Sequence, residues 1–115
     1  MSRSAPNRIR DIRAAVATIH KYEASGRDTP MVFDAVRMRL IEIGEAVNGI
    51  SPELLESEPA TPWKAIIGMR NWMAHRYFDT VHAYVWETVD RDLEPLLEAL
   101  DRISARLDEA PPADL

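Results

Sequence analysis

The chain has 115 residues, a formal net charge of −5 and no cysteine. This length predicts one domain, residues 1–115, with one hydrophobic core, and the lack of thiols excludes disulfides and thiolate metal sites. No apolar run approaches the roughly 18–20 residues that cross a bilayer, and no signal-peptide apolar core follows the N-terminus, so we expect a soluble protein of the cytoplasm.

The charges are distributed unevenly along the chain. Residues 1–40 carry eight basic and four acidic side chains, whereas residues 41–115 carry six basic and fifteen acidic ones. An acidic protein does not attract nucleic acid through its overall field, so any such contact requires a local basic site. The arginines near the N-terminus could assist that site or could form a solvated helix face; they are Arg3, Arg8, Arg10 and Arg13.

The first predicted element is an amphipathic helix over residues 7–24, where apolar residues recur at helical spacing. Asn7 is its N-cap candidate and Gly26 its C-cap candidate. Thr29-Pro30 marks the turn into the next element.

A second, longer helix is predicted over residues 31–49, and Asn48-Gly49 closes it. Met38 and Ile41 lie opposite its main apolar stripe. A helix that is apolar on two sides often has two neighbours, and one of them could be a second copy of the chain.

Two Ser/Thr-Pro pairs mark the next helix starts, because serine and threonine cap helices and proline suits their first turn. Ser51-Pro52 predicts a short helix that ends before Pro59. Thr61-Pro62 predicts a longer helix that runs to about Tyr77, and Phe78–Thr80 predicts a turn after it.

Residues 81–109 form the last predicted helical segment. Pro95 interrupts it, so we expect a kink near residues 91–95 or two abutting helices. Residues 110–115 are predicted to be a frayed tail, which leaves an ordered core of about 7–109. The fold prediction is an all-α, up-and-down bundle of four main helices.

Residues 68–77 carry the candidate chemistry. Arg70 falls near the middle of a broad apolar helix face, where a charge must snorkel, pair or serve a ligand. Asn71 and His75 lie together on one flank of that face, and Gly68 leaves a gap beside them. The predicted face consists of Trp63, Ile66, Ile67, Met73, Ala74 and Tyr77.

Arg70 and His75 could cleave RNA without a metal ion. A guanidinium grips phosphate and stays charged, and an imidazole with a pKa near about 6.5 moves protons at neutral pH. Asn71 could orient the imidazole or bind substrate. The alternative is a plain helix end with a snorkelling Arg70, a surface His75 and a core Tyr77.

The spacing of arginine and histidine alone decides little. Arg-x(4–6)-His occurs three times, at Arg13–His20, Arg70–His75 and Arg76–His82, and only the second includes a charge on an apolar face. The histidines are dispersed, with His20 and His82 interpreted as surface residues, so we predict no metal site and no cofactor.

Arg70 and His75 point about 140° apart on one helix. The two side chains of a single helix therefore cannot easily contact the same substrate atom. A symmetric pair of helices across a two-fold axis would solve this, because each cleft could draw on both chains.

Four segments together resemble the HepT-type toxins of the HEPN superfamily. They are Asp34–Ala46, Trp63–Phe78, Val85–Val89 and Asp92–Leu96. The resemblance covers roughly residues 8–107, including the order and spacing of the segments, and it is therefore far more specific than the Arg-x4-His pattern.

The resemblance implies a helical homodimer that cleaves RNA without metal in a cleft at its interface. It implies that Arg70 and His75 are catalytic, that Asn71 assists them, and that an MNT-type nucleotidyltransferase antitoxin transfers AMP to Tyr77. The homodimer could belong to a larger hetero-oligomer. The competing interpretation is a non-catalytic HEPN helical module that binds a nucleotide or a nucleotidyltransferase.

Overall fold

Six helices make up the described part of the chain, which in this computed structural model comprises residues 4–75 and 78–109, without the side chains of residues 75 and 78–81. The all-α prediction is confirmed, since the described residues include no strand. The helices are α1 (Ala5–Glu23), α2 (Pro30–Asn48), α3 (Pro52–Glu56), α4 (Trp63–His75), α5 (Phe78–Arg91) and α6 (Leu93–Glu109).

Helix α2 lies at the centre of the bundle. It packs against α1 and α4, and α6 packs against α1 and α5. The main stripe of α2 is almost fully buried; it consists of Val32, Phe33, Val36, Leu40, Ile43 and Val47. The predicted second apolar patch is partly exposed, because Met38 keeps 50% of its surface and Ile41 is only partly buried. Met31, in the first turn of α2, keeps 79% of its surface.

Helix starts and ends depart from the sequence prediction by a few residues. Helix α1 begins at Ala5 with Ser4 as its N-cap, and the Ser4 Oγ accepts a hydrogen bond from the Asn7 amide at 3.3 Å. Asn7 is thus inside the helix. The C-cap is Ala24, and Gly26 follows with a φ of 108° in the left-handed region that glycine favours.

The last predicted segment is divided in two, as Pro95 indicated. Helix α5 ends at Arg91 and α6 begins at Leu93, because Pro95 has no N–H for the carbonyl of residue 91. The predicted turn at Phe78–Thr80 is wrong, since these residues are in α5. Polar residues that favour a cap also occur in first turns, so the sequence locates a helix start only approximately.

Ion pairs between helices add to the packing. Arg106 and Arg102 hold the pKa of Glu58 below its ordinary value, with hydrogen bonds of 2.6 and 2.8 Å to its carboxylate. Arg27 likewise lowers the pKa of Asp90 and lies over the Trp86 ring, 4.6 Å from its centre. These contacts connect the segment after α3 with α6, and the segment after α1 with α5.

Two glycines differ sharply in the space around them. A Cβ on Gly44 would lie 3.1 Å from the Ile66 carbonyl oxygen and 3.3 Å from the Arg70 Cβ, whereas a Cβ on Gly68 would meet nothing within 4 Å. Gly44 therefore permits the close approach of α2 and α4, and Gly68 leaves open space on α4.

We expect Gly44→Ala to lower the free energy of unfolding by about 1–3 kcal/mol through overpacking. Gly68→Ala is the matched control, and it should raise that free energy by about 0.5–1 kcal/mol by stiffening the unfolded chain. Urea unfolding followed by circular dichroism at one protein concentration measures both. Equal effects of the two substitutions would contradict the close α2–α4 contact.

No helix within residues 4–75 and 78–109 combines the length and apolar character that a bilayer crossing needs.

Candidate active site

Helix α4 is held at its start and along one side. The Trp63 indole donates a hydrogen bond to the Glu58 carbonyl at 3.0 Å. Met69 and Met73 are the buried residues of this helix, whereas Ala74 is exposed, which corrects its predicted place on the apolar face. The buried face is thus centred on the two methionines. Helix α4 packs against α2, and its Trp72 ring contacts Tyr84 of α5.

Arg70 lies at the border between this buried face and solvent. Its side chain is 27% exposed, and its Nη1 donates to the Glu45 Oε1 at 2.8 Å. Glu45 is itself 59% exposed. Of the three outcomes that the sequence left open, the described residues show a paired cation.

A phosphate could readily replace Glu45 as the partner of Arg70. An ion pair exposed to this degree contributes only about 0–1 kcal/mol, whereas a guanidinium can donate two parallel, charge-assisted hydrogen bonds to a phosphate. An incoming phosphate can therefore replace the carboxylate at small cost. Arg70 is accessible enough for such a ligand because more than a quarter of its side chain faces solvent.

The other predicted site residues lie further along α4. Asn71 is exposed, and with Gly68 and Ala74 it forms a strip of small and polar residues that faces away from the core. His75 is the last residue of the helix, about 7.5 Å along the axis from Arg70. The side chain of His75 and the whole of Tyr77 are outside the described residues, so the predicted geometry between Arg70 and His75 stays a prediction.

Two charged residues of α2 that the sequence did not single out contact α4. One is Glu45, the partner of Arg70. The other is Arg37, whose Nε donates to the Met73 carbonyl at 2.6 Å. Arg37 borders the α2 apolar stripe, whereas Glu45 lies on the opposite side of α2, near Met38, so the helical wheel of α2 gave no signal that both would contact α4.

In the alternative Arg–His pair of the first helix, both side chains already have acidic partners, one on α6 and one on α1. The Arg13 Nη2 lies 2.5 Å from Asp101, and the His20 Nδ1 lies 2.9 Å from Glu23. His82 is partly buried and stacks on Phe33 with ring centres 5.0 Å apart, so its interpretation as a surface residue is wrong. Arg76, the partner of His82 in the third match, is outside the described residues.

The N-terminal arginines also make contacts within the chain. The Arg8 guanidinium lies directly against Gly49 at the end of α2, and Arg10 donates to Asn7. A cation is favourable at a helix C-terminus, so Arg8 has a structural role. Arg3 is outside the described residues.

Groups of three or more potential metal ligands do not occur in the part of the chain that the structure describes. Arg70 and Asn71 place a cation and an amide on α4, and His75 is the last residue of that helix.

A family model described as "Ribonuclease HepT-like" matches residues 7–103. Among curated proteins, a Caldanaerobacter subterraneus subsp. tengcongensis protein with an RNase name is 34% identical over 74 residues, which are 64% of this chain and 66% of that protein. A Methanocaldococcus jannaschii protein with an RNase name is 34% identical over 67 residues, 58% of each chain.

A third relative covers more of the chain. It is a Thermococcus cleftensis protein named "Probable ribonuclease HepT", 28% identical over 109 residues, which are 90% of this chain and 98% of that protein. The chain thus spans less than two thirds of the first two relatives and nearly all of the third. No solved structure matches the chain.

Proposed function

Because the chain belongs to the ribonuclease HepT-like family, we propose that it is a metal-independent RNA endonuclease and the toxin of a toxin–antitoxin pair. The family match confirms the resemblance found in the sequence. The observation that carries the proposal is the half-buried Arg70, which one exposed carboxylate holds at the edge of α4.

The reaction follows from the residue types. His75 takes the proton of a ribose 2′-OH, the 2′-oxygen attacks the adjacent phosphorus, and Arg70 stabilises the negative charge of the phosphorane. The bond from phosphorus to the 5′-oxygen then breaks, and an imidazolium returns a proton to that oxygen. The products are a 2′,3′-cyclic phosphate and a 5′-hydroxyl. Asn71 orients His75 or binds the ribose.

The proposed enzyme is a homodimer in which each cleft draws on both chains. Arg70 reaches toward Glu45 on α2, and positions 70 and 75 of an ideal helix point about 140° apart. Two exposed surfaces support a second copy as neighbour. One is the Gly68–Asn71–Ala74 strip of α4, and the other is the pair of exposed methionines on α2, Met31 and Met38.

Regulation is proposed to act on the same site. An MNT-type nucleotidyltransferase antitoxin transfers AMP to Tyr77, two residues after His75. The added phosphate would compete with RNA for nearby cations, Arg70 among them. The setting of this pair is the cytoplasm, where the toxin meets RNA.

RNA cleavage in the presence of EDTA tests the enzyme directly. We expect an RNA oligonucleotide to be cleaved equally with and without EDTA, and to yield cyclic phosphate ends. The same oligonucleotide with 2′-O-methyl groups is the matched control, and it should stay intact because it lacks the attacking hydroxyl. Cleavage that requires added divalent metal, or that cuts the methylated control, would contradict the mechanism.

A non-catalytic helical module that binds a nucleotide or a nucleotidyltransferase is the second candidate. The observation that favours it is the neutralised charge of Arg70. In the same assay this module would bind RNA or partner and leave the oligonucleotide uncut.

A further inference from the structure

The seam between α2 and α4 includes the cation of Arg37, which bonds to Met73. Arg13, Arg27, Arg39, Arg70, Arg91, Arg102 and Arg106 each form a salt bridge with a carboxylate. Among the side chains that the structure describes, Arg37 has no carboxylate within salt-bridge distance. It is also partly buried, where an uncompensated charge is costlier than at the surface.

The Met73 carbonyl accounts for only part of the bonding capacity of Arg37. A guanidinium has five N–H donors in a planar fork, and the Nε donor is used by Met73 at 2.6 Å. Met73 lies two residues before the end of α4 at His75, and the carbonyls near a helix C-terminus carry its negative dipole end. This bond anchors the stem of Arg37 and leaves the donors on both Nη atoms available.

The position of Arg37 relates it to the proposed cleft. Helices α2 and α4 run antiparallel, since Gly44 faces Ile66 and Arg70 while Arg37 faces Met73. Arg37 and Glu45 are about 12 Å apart along α2. The seam therefore holds two guanidiniums, that of Arg70 beside Glu45 and that of Arg37 at the end of α4 where His75 lies.

The geometry points to Arg37 as a further substrate-binding residue, which holds an RNA phosphate next to the one that is cleaved. This inference rests on the proposed ribonuclease function. Arg70 binds the scissile phosphate, and Arg37 fixes the register of the strand across the end of α4. Because Arg37 contacts a phosphate that does not react, it binds ground state and transition state equally.

Binding to an uncleavable RNA tests this role apart from catalysis. A 2′-O-methyl oligonucleotide is titrated by fluorescence anisotropy at several salt concentrations, with wild type, Arg37→Gln and Arg37→Lys. We expect Arg37→Gln to weaken binding about tenfold and to reduce the slope of log affinity against log salt by about 0.7. Arg37→Lys should keep the wild-type slope because it keeps the charge.

Arg39→Gln is the control, because Arg39 is two residues away on α2, similarly exposed, and paired with Glu42 at 2.8 Å. It should bind as wild type does. With cleavable RNA, Arg37→Gln should raise KM about tenfold and keep kcat, as expected for uniform binding. Thermal melts of all variants separate this effect from loss of the helix end.

An unchanged salt slope in Arg37→Gln, or the same reduction in Arg37→Lys, would overturn the role of Arg37 alone. Wild-type protein that neither binds nor cleaves RNA would instead overturn the proposed function, and this inference with it.

Discussion

Replacing Arg70 or His75 with alanine is expected to remove nearly all RNA cleavage. Loss of a general base lowers a rate by about 10²–10⁴-fold, and loss of one group that stabilises transition-state charge lowers it by about 10²–10³-fold. Initial rates on one RNA oligonucleotide in EDTA measure both losses. Arg70→Ala should remain folded, because Arg70 is not part of the buried core, and circular dichroism compares the fold of both variants with wild type.

Matched controls come from the same residue types elsewhere in the chain. Arg91→Ala removes an exposed arginine that pairs with Glu87 one turn away, and His20→Ala removes a histidine that pairs with Glu23. Both should retain the wild-type rate. Cleavage that survives Arg70→Ala and His75→Ala would come from another site or a contaminant, and it would remove the support for α4 as the catalytic element.

Mixing the two inactive variants tests whether a cleft draws on both chains. A dimer of one Arg70→Ala chain and one His75→Ala chain has an intact Arg70 on one subunit and an intact His75 on the other. If these two residues act across the two-fold axis, subunit exchange should restore part of the activity. A mixture as inactive as its components would show that both residues act within one chain.

The sequence predicted the helices well because their formation depends on a local pattern. Apolar residues recur at helical spacing along α2, and such a stripe is buried regardless of which helices pack against it. The ends were predicted less well. Ser4 and Asn7 are both suitable N-cap residues. The N-cap is the one whose backbone is extended, here Ser4, and the sequence does not give that backbone conformation. Pro95 correctly indicated the division between α5 and α6, because its effect is covalent and local.

The candidate site was predicted only in part, because the partners of its side chains come from another helix. Arg70 was recognised as a charge that needs a partner, but Glu45 could not be named. The close approach of α2 and α4 at Gly44 makes that pair possible. The same packing brings Arg37 to Met73. A helical wheel treats each helix alone, so it placed Ala74 on the apolar face, whereas Ala74 is exposed in the packed chain.

Glu45 and Arg37 of α2 suggest an order in which RNA would contact the proposed cleft. Glu45 keeps Arg70 in place without RNA, and a phosphate must displace it. Arg37 has no such competitor among the described side chains. The first contact of RNA with the seam is thus expected at Arg37, and exchange at Arg70 follows, which would favour RNA long enough to reach both cations.

Tyr77→Phe is expected to keep toxicity but to escape neutralisation by the antitoxin. The substitution removes only the phenolic oxygen, which is the acceptor of AMP in the proposed reaction, and keeps the ring. Co-expressed with the cognate nucleotidyltransferase, wild type should carry AMP on Tyr77 and lose RNA cleavage, while Tyr77→Phe should stay unmodified and fully active. Intact and peptide mass spectrometry, together with growth of the host cells, measure the two outcomes.

The chain has three tyrosines, so the other two provide the controls for this prediction. Tyr22 packs against the hydrophobic core, and the Tyr84 ring lies tilted against the Trp72 ring with ring centres 4.4 Å apart. Tyr22→Phe and Tyr84→Phe should still be modified and silenced like wild type, because their rings keep these contacts. AMP found on Tyr22 or Tyr84, or a Tyr77→Phe chain that the nucleotidyltransferase still silences, would contradict the modification of Tyr77. Neutralisation would then have to act by binding alone, since a partner that covers the end of α4 can exclude RNA without any covalent change.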